Sequence, residues 1–281
     1  MGTHAKVYLD MQQVQLLTHE YPADHPWLPA WKNHFEKIHF IEDWRDVKND
    51  MLFITGSDIG NRWVRECMNR HQPALYIGRG YCGNHTAKHR RLWRVSTNGW
   101  ANIRLLPVPH SRWEVMQLPR HPWKVKQIKN VLIAPSKMAN LSWSQENSQQ
   151  WAERISSQFP GANVKIRYKP GKSGLRYATL WDDLDWADLV VTAASAITCE
   201  ALWYGKKVIG VEPCPTWAAG RTMLEDWQNP EEPPFRDAWH EHLAWNQFTV
   251  DEWTSGEAFK LIDQYIGSIA EYDPGYTYNL L

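Results

Sequence analysis

The stretch Trp186–Pro213, WADLVVTAASAITCEALWYGKKVIGVEP, decides how the chain is read. Asp188–Thr192 (DLVVT) is a short apolar run of strand length, rich in β-branched residues. Ala193-Ala194-Ser195 is a turn of small residues, and Ala196–Tyr204 has the length and composition of a helix. Gly205 falls at the C′ position, where a left-handed backbone closes a helix. Lys207–Val211 (KVIGV) then returns as a strand. Strand, tight turn, helix and strand make one unit of a parallel sheet.

The same alternation runs outward in both directions. Upstream lie a strand at Asn130–Ala134 (NVLIA) followed by Pro135-Ser136, and a helix from about Ser144 to Phe159, ended by Pro160-Gly161. Next come a strand at Asn163–Tyr168 (NVKIRY) and the turn Lys169-Pro170-Gly171, with the acidic segment Trp181–Trp186 before the quoted stretch. In the first half, strands are expected at Lys6–Asp10, His39–Glu42, Met51–Gly56, Ala74–Gly78 and Arg91–Ser96. A helix capped by Ser57 or Asp58 runs to about Gln72, where Pro73 breaks it. Leu105–Pro122 carries four prolines and no periodicity, which reads as an inter-domain linker. Asp251–Ile266 is a final helix that can cross back onto the first domain. The expected architecture is α/β, with domains at 1–122 and 123–250 and a C-terminal helix and tail at 251–281.

Composition narrows the class. Apolar residues make up 43% of the chain, enough for packed cores. The N-terminus lacks a basic-then-apolar leader pattern and no apolar run has the length of a membrane span, so a cytoplasmic protein with no membrane span is expected. Four scattered cysteines fit reduced thiols in such a compartment. The zero net charge conceals a division: residues 62–130 hold 14 Lys/Arg against Glu66 and Glu114, whereas residues 182–281 hold 18 Asp/Glu against five Lys/Arg. Such asymmetry points either to an anionic partner for the basic half or to two halves that neutralise each other. Eighteen tryptophans fit stacking on sugars or bases, and equally ordinary core packing.

The pattern ADLVVT–small–Ser–xxx–Glu-Ala-Leu–xx–Gly–Lys–Val-Ile resembles the donor-binding core of GT-B glycosyltransferases. That resemblance implies two Rossmann-like domains facing a cleft, with the first binding acceptor and the second a nucleotide-sugar. It implies Ser195 and Thr198 near the diphosphate and Glu200 on the ribose hydroxyls. The other reading makes Ser195 a helix cap and Glu200 a surface acid. The edge Lys165-Ile166-Arg167-Tyr168-Lys169-Pro170 is similar to the basic edge of capsule-type and sialyl-type transferases, which implies Arg167 and Lys169 against phosphate. Ser136 stands where GT-B folds present a small residue to the diphosphate. The loop Gly78-Arg79-Gly80-Tyr81-Cys82-Gly83-Asn84 resembles an acceptor-facing loop of polysaccharide and phage-encoded transferases, which implies acceptor roles for Arg79, Tyr81 and Asn84. Transferases of this class need no bound metal or cofactor; the expected co-substrate is a UDP-sugar.

A base must take the acceptor's proton, and Asp58, Asp10 and His85 are the candidates, with an N-cap role competing at Asp58. Cys82-x2-His85-x3-His89 has zinc-like spacing but no fourth ligand, so no metal is expected. The sequence is read as holding no Asp-x-Asp motif of the metal-dependent transferases and no Walker loop, G-x-G-x-x-G or G-x-S-x-G, which argues against ATPase, dehydrogenase and α/β-hydrolase chemistry. The segment AKHRRLWRVSTNGW, with Lys88, Arg90 and Arg91, suggests DNA as acceptor and is similar to phage enzymes that glycosylate hydroxymethylated pyrimidines. Two alternatives stand beside it: a transferase building capsule or lipopolysaccharide, and a non-enzymatic protein that binds nucleotide-sugar or nucleic acid.

Overall fold

A computed structural model of the chain describes residues 13–17, 27–42, 46, 48, 52–56, 74–82, 92–97, 105, 108–109, 111–136, 146–168, 179–193, 195–212, 214–220 and 222–262. The chain divides into two compact units, one drawn from 1–79, 93–100 and 248–281, the other from 80–92 and 101–247. The expected strand at Lys6–Asp10 and the helix from Ser57 to Gln72 lie outside the described residues.

The first unit is built on β1 (Gln13–Leu17), α1 (Leu28–His34), β2 (Lys37–Ile41), β3 (Leu52–Gly56), β4 (Ala74–Arg79) and β5 (Leu92–Thr97). Its sheet has the order β2-β1-β3-β4-β5, with a further strand, residues 247–249, on the far side of β5. β1 pairs parallel with both β2 and β3, and β3 with β4; β5 is antiparallel to β4. Gln15, buried in β1, grips the backbone of Lys48 with both ends of its amide, at 3.0 and 2.8 Å. That satisfies a polar group that would otherwise be costly to bury.

In the second unit α2 (Arg112–Val115) leads to β6 (Asn130–Ile133), α3 (Ser148–Ser156), β7 (Asn163–Ile166), α4 (Leu180–Trp186), β8 (Leu189–Thr192), α5 (Ile197–Trp203), β9 (Lys207–Gly210) and α6 (Arg236–Trp245). The sheet order is β7-β6-β8-β9 and every pairing is parallel. β8, Leu-Val-Val-Thr, and β9, which starts with the buried Lys207, are buried at every position; β7, at the other edge, is exposed throughout. α3 begins where Asn147 and Gln150 close a capping box, which starts the helix four residues later than its sequence suggests. The acidic segment is α4, started by the reciprocal Thr179–Asp182 box. Gly205 has φ +85°, and a side chain there would meet the Pro122 carbonyl at 2.1 Å, so glycine is required.

The proline-rich stretch expected to be a linker is partly core. Trp113 of α2 is fully buried, its backbone N–H donates to Glu241, and the Arg112 guanidinium donates to the Ala244 and Gln247 carbonyls. Tryptophan indoles tie the prolines down: Trp245 donates to the Pro109 carbonyl, Trp203 to Pro119, Trp123 to Pro230 and Trp239 to Pro215, at 2.7–3.1 Å. Proline-rich segments cannot donate to a ladder, and their carbonyls are left for such side chains.

The chain re-enters the first unit through β10 (Gln247–Thr249), α7 (Val250–Ser255) and α8 (Glu257–Leu261). One continuous final helix was expected; Gly256, left-handed at φ +79°, divides it in two. Trp253 of α7 stacks on Trp27 at 5.4 Å and 16°.

Candidate functional site

Open parallel sheets bind ligands outside the carboxyl ends of their strands, where the strand order reverses. In the second unit that point lies between β6 and β8. Ser136 follows β6, and its hydroxyl lies 3.4 Å from that of Thr192, the last residue of β8. The Ser136 carbonyl accepts from the Ser148 hydroxyl at 2.9 Å, which fixes the turn. Beyond Thr192 the floor is Ala193, fully buried, and the next strand reaches the same level through Glu212 N–H donating to the Ala193 carbonyl at 2.8 Å.

From this floor Ser195 leads into α5. Its hydroxyl receives the Ile197 N–H at 3.5 Å, and its carbonyl receives the N–H and hydroxyl of Thr198 at 3.2 and 2.9 Å. Thr198 is therefore an interior brace of the Ser195 turn. Every α5 residue from Thr198 to Trp203 is buried, Glu200 among them at 6% exposure, which removes the reading of Glu200 as a surface acid. Burial pushes its carboxyl up to about 7. A carboxyl that titrates near neutrality can accept hydrogen bonds when ionised and donate one when protonated, and such groups concentrate at functional sites.

The 80–82 loop belongs to the same unit and comes close to this carboxyl. Burial first, and the Glu200 charge after it, drive the Cys82 thiol far above its ordinary value, while a hydrogen bond from Gln247 opposes them. Gln247 holds the loop, accepting from the Tyr81 N–H at 2.9 Å and donating to Cys82 Sγ at 3.5 Å. Tyr81 is 1% exposed and packs in the core with Trp113, Leu132 and Trp203. The sequence does hold a dinucleotide-type spacing, Gly78-x-Gly80-x-x-Gly83, contrary to the reading that none occurs; Gly78 lies in β4, Gly83 is outside the described residues, and β4 pairs with an antiparallel β5, whereas that fingerprint works within a parallel βαβ unit.

At the end of β7, Arg167 donates its backbone N–H to the Ile133 carbonyl at 2.8 Å, which places it beside the start of the Ser136 turn. Its guanidinium pairs with one oxygen of Asp183 in α4; the other oxygen takes Lys165 Nζ. Asp183 was not anticipated from the sequence, although the Thr179-x-x-Asp182 spacing signals the helix that carries it. Asp183 and Asp185 also have an Asp-x-Asp spacing, but Asp183 is held by those two cations and Asp185 accepts from the Tyr204 hydroxyl at 2.6 Å.

Ser136, Arg167 and Ser195 thus follow the carboxyl ends of β6, β7 and β8, and Glu200 lies in the first turn of the helix that leaves β8. Asp10, Asp58, Asn84, His85, Lys88, Arg90, Arg91 and Lys169 lie outside the described residues, and of Arg79, the last residue of β4, only the backbone is described. Among the described residues no cluster of His, Cys, Asp and Glu could hold a metal ion, and no helix is long and apolar enough to cross a membrane.

No protein-family model matches the chain, and no curated protein does. Among solved structures the chain is similar to KpsC of Thermosulfurimonas dismutans, described as a beta Kdo 2,7 transferase, at 12% identity and a TM-score of 0.46, over 90% of this chain and 99% of that one. It is similar also to a structure of the same organism's KpsC described as a beta Kdo 2,4 transferase, at 12% identity and 0.44, over 90% and 98%. Likeness of this degree assigns neither fold family nor activity.

Proposed function

We propose that the chain is a GT-B-type glycosyltransferase that moves a sugar from a UDP-sugar to a hydroxyl acceptor. The observation that carries this is Glu200: a buried carboxyl titrating near neutrality, on the helix that leaves the switch point of an all-parallel sheet. In this reading Glu200 accepts the ribose hydroxyls. The Ser136 and Ser195 hydroxyls meet the diphosphate, with Thr198 bracing the Ser195 turn. Arg167 and Lys169 neutralise the phosphates in place of a metal ion. Asp58, Asp10 or His85 takes the acceptor proton, the acceptor oxygen attacks the anomeric carbon, and the bond from that carbon to the phosphate oxygen breaks, releasing the nucleoside diphosphate.

The acceptor we favour is a saccharide hydroxyl of a capsule or lipopolysaccharide.

The test is a screen of nucleotide-sugars against oligosaccharide acceptors and hydroxymethylpyrimidine DNA, read by product mass. A sugar-sized mass gain on the oligosaccharide supports the proposal in full. A gain on DNA alone keeps the transferase and replaces its acceptor. Donor binding without any product would make this a binding protein, and no donor binding would remove the nucleotide-sugar reading.

A further inference from the structure

We infer that Asp183 and Lys165 are positioning residues for Arg167, holding its guanidinium as a fixed cation for the diphosphate of the nucleotide donor; this rests on the reading of the site above. Asp183 is 1% exposed, and each of its carboxylate oxygens takes one cation, Lys165 Nζ on one and an Arg167 terminal nitrogen on the other. The same Arg167 nitrogen reaches the Thr179 carbonyl at 3.4 Å. A buried acid paired with Arg167 alone would cancel the charge a phosphate needs. With Lys165 on the far oxygen, the triad carries a net positive charge. The member just past the strand's carboxyl end is Arg167 rather than Lys165; its N–H donates to the carbonyl of Ile133, three residues before Ser136. Asp182 also lies within electrostatic reach of Lys165 and Arg167, but it is fully solvent-exposed, so water screens its charge, and one of its oxygens accepts from the Thr179 N–H and hydroxyl.

The arrangement also fixes geometry. A free arginine side chain must give up rotamer freedom to clamp a phosphate, and one already held by a buried carboxylate gives up less. Asp183 therefore acts on the donor through Arg167 without touching it.

The experiment is calorimetric titration of UDP and of uridine into the wild type, Arg167→Met, Asp183→Asn, Lys165→Met and the Arg167→Met/Asp183→Asn pair. Arg167→Met and Asp183→Asn should each weaken UDP binding about tenfold while leaving uridine within about twofold. The double variant should lose no more than Arg167→Met alone, because the acid works through the arginine. Lys165→Met should cost about threefold in UDP affinity, again sparing uridine. A role confined to folding would lower thermal stability and leave the UDP-to-uridine ratio unchanged, and that result overturns the inference while the proposed function stands. If Asp183→Asn does not fold, Lys165→Met decides alone, since that side chain is 44% exposed; unchanged UDP affinity there overturns the inference. A wild type that binds neither ligand overturns the UDP-sugar reading of the site and this inference with it.

Discussion

The two units bury different chemistry. Among the described residues of the first unit, the buried polar side chains are Gln15 and Ser96, and the interior is otherwise apolar. Its centre is rings on rings: Trp27 against Trp31, Trp93 and Trp253, and Phe259 against Trp31, Phe35 and Trp253, with centroids 4.8–5.9 Å apart. The second unit buries Arg112, Asp183, Glu200, Lys206, Lys207, Arg236, His240 and Glu241 as well as its apolar core. Most of these are bound: Arg236 donates to the Leu202, Trp203 and His121 carbonyls, and Lys207 to those of Asp226 and Asn229. An interior of rings is stable at any pH, whereas one of ionisable groups is stable within a window. The contrast teaches where pH can act on this protein, and it can be broken by experiment.

The largest effect belongs to His240. It sits in α6 between Trp113 and Trp239 with neither ring nitrogen hydrogen-bonded among the described residues. Burial, with Arg236, Arg120 and His121 nearby, lowers its pKa from 6.5 to about 3. The unfolded chain therefore takes up a proton that the folded chain refuses. Stability from this group is complete above pH 6.5 and falls as pH drops toward 3, by about 1.4 kcal/mol per pH unit. Segment-resolved hydrogen exchange should show the second unit opening first on acidification, with α1 and α7 still protected. His240→Phe should abolish that acid sensitivity; equal acid loss in both units of the wild type would dissolve the contrast.

Glu200 has the opposite sign and a smaller size. Its folded pKa lies near 7 against 4.5 for the free group, so the folded chain holds the extra proton and stability falls as pH rises through that interval. Glu200→Gln should stabilise the second unit at pH 8 by at most about 3 kcal/mol while abolishing donor binding. The two groups oppose each other between pH 4.5 and 6.5, where their slopes cancel. The wild type should therefore show a plateau in melting temperature across that interval. Glu200→Gln should tilt it upward with pH and His240→Phe downward, and a plateau unmoved by either substitution would show that neither group titrates as described.

The contrast also marks what the sequence could disclose. The quoted stretch resolved into β8, α5 and β9 because most of its buried positions are apolar and Gly205 stops the helix where it should. Glu200 was singled out by the resemblance of that stretch to a GT-B donor core, not by its periodicity. α6, RDAWHEHLAW, went unread because its buried positions include Arg236, His240, Glu241 and His242, which carry no apolar period. Asp183 was hidden for a related reason: an acid in an acidic run reads as solvated. Its partners Lys165 and Arg167 lie 18 and 16 residues upstream, on a strand that meets α4 only after the crossover. The burial of Tyr81 was not legible either: its loop was read through a resemblance, and nothing in the local sequence shows that the ring packs with Trp113, Leu132 and Trp203.

The smallest effect tests whether the contrast extends to the tryptophans. Trp253 in the first unit and Trp239 in the second are both 0% exposed and lose the same volume on replacement by phenylalanine. They differ at the indole nitrogen. That of Trp253 is buried with no hydrogen-bond partner among the described residues, whereas that of Trp239 donates to the Pro215 carbonyl at 3.1 Å. Removing an unpartnered donor relieves a cost, and removing a bonded one strands a buried carbonyl. Trp239→Phe should therefore cost about 1 kcal/mol more than Trp253→Phe, each measured as the change in opening free energy of its own unit by hydrogen exchange. Equal costs would mean that tryptophan serves both interiors as bulk alone, with the Trp239–Pro215 bond contributing nothing to how the second unit holds its proline-rich segments.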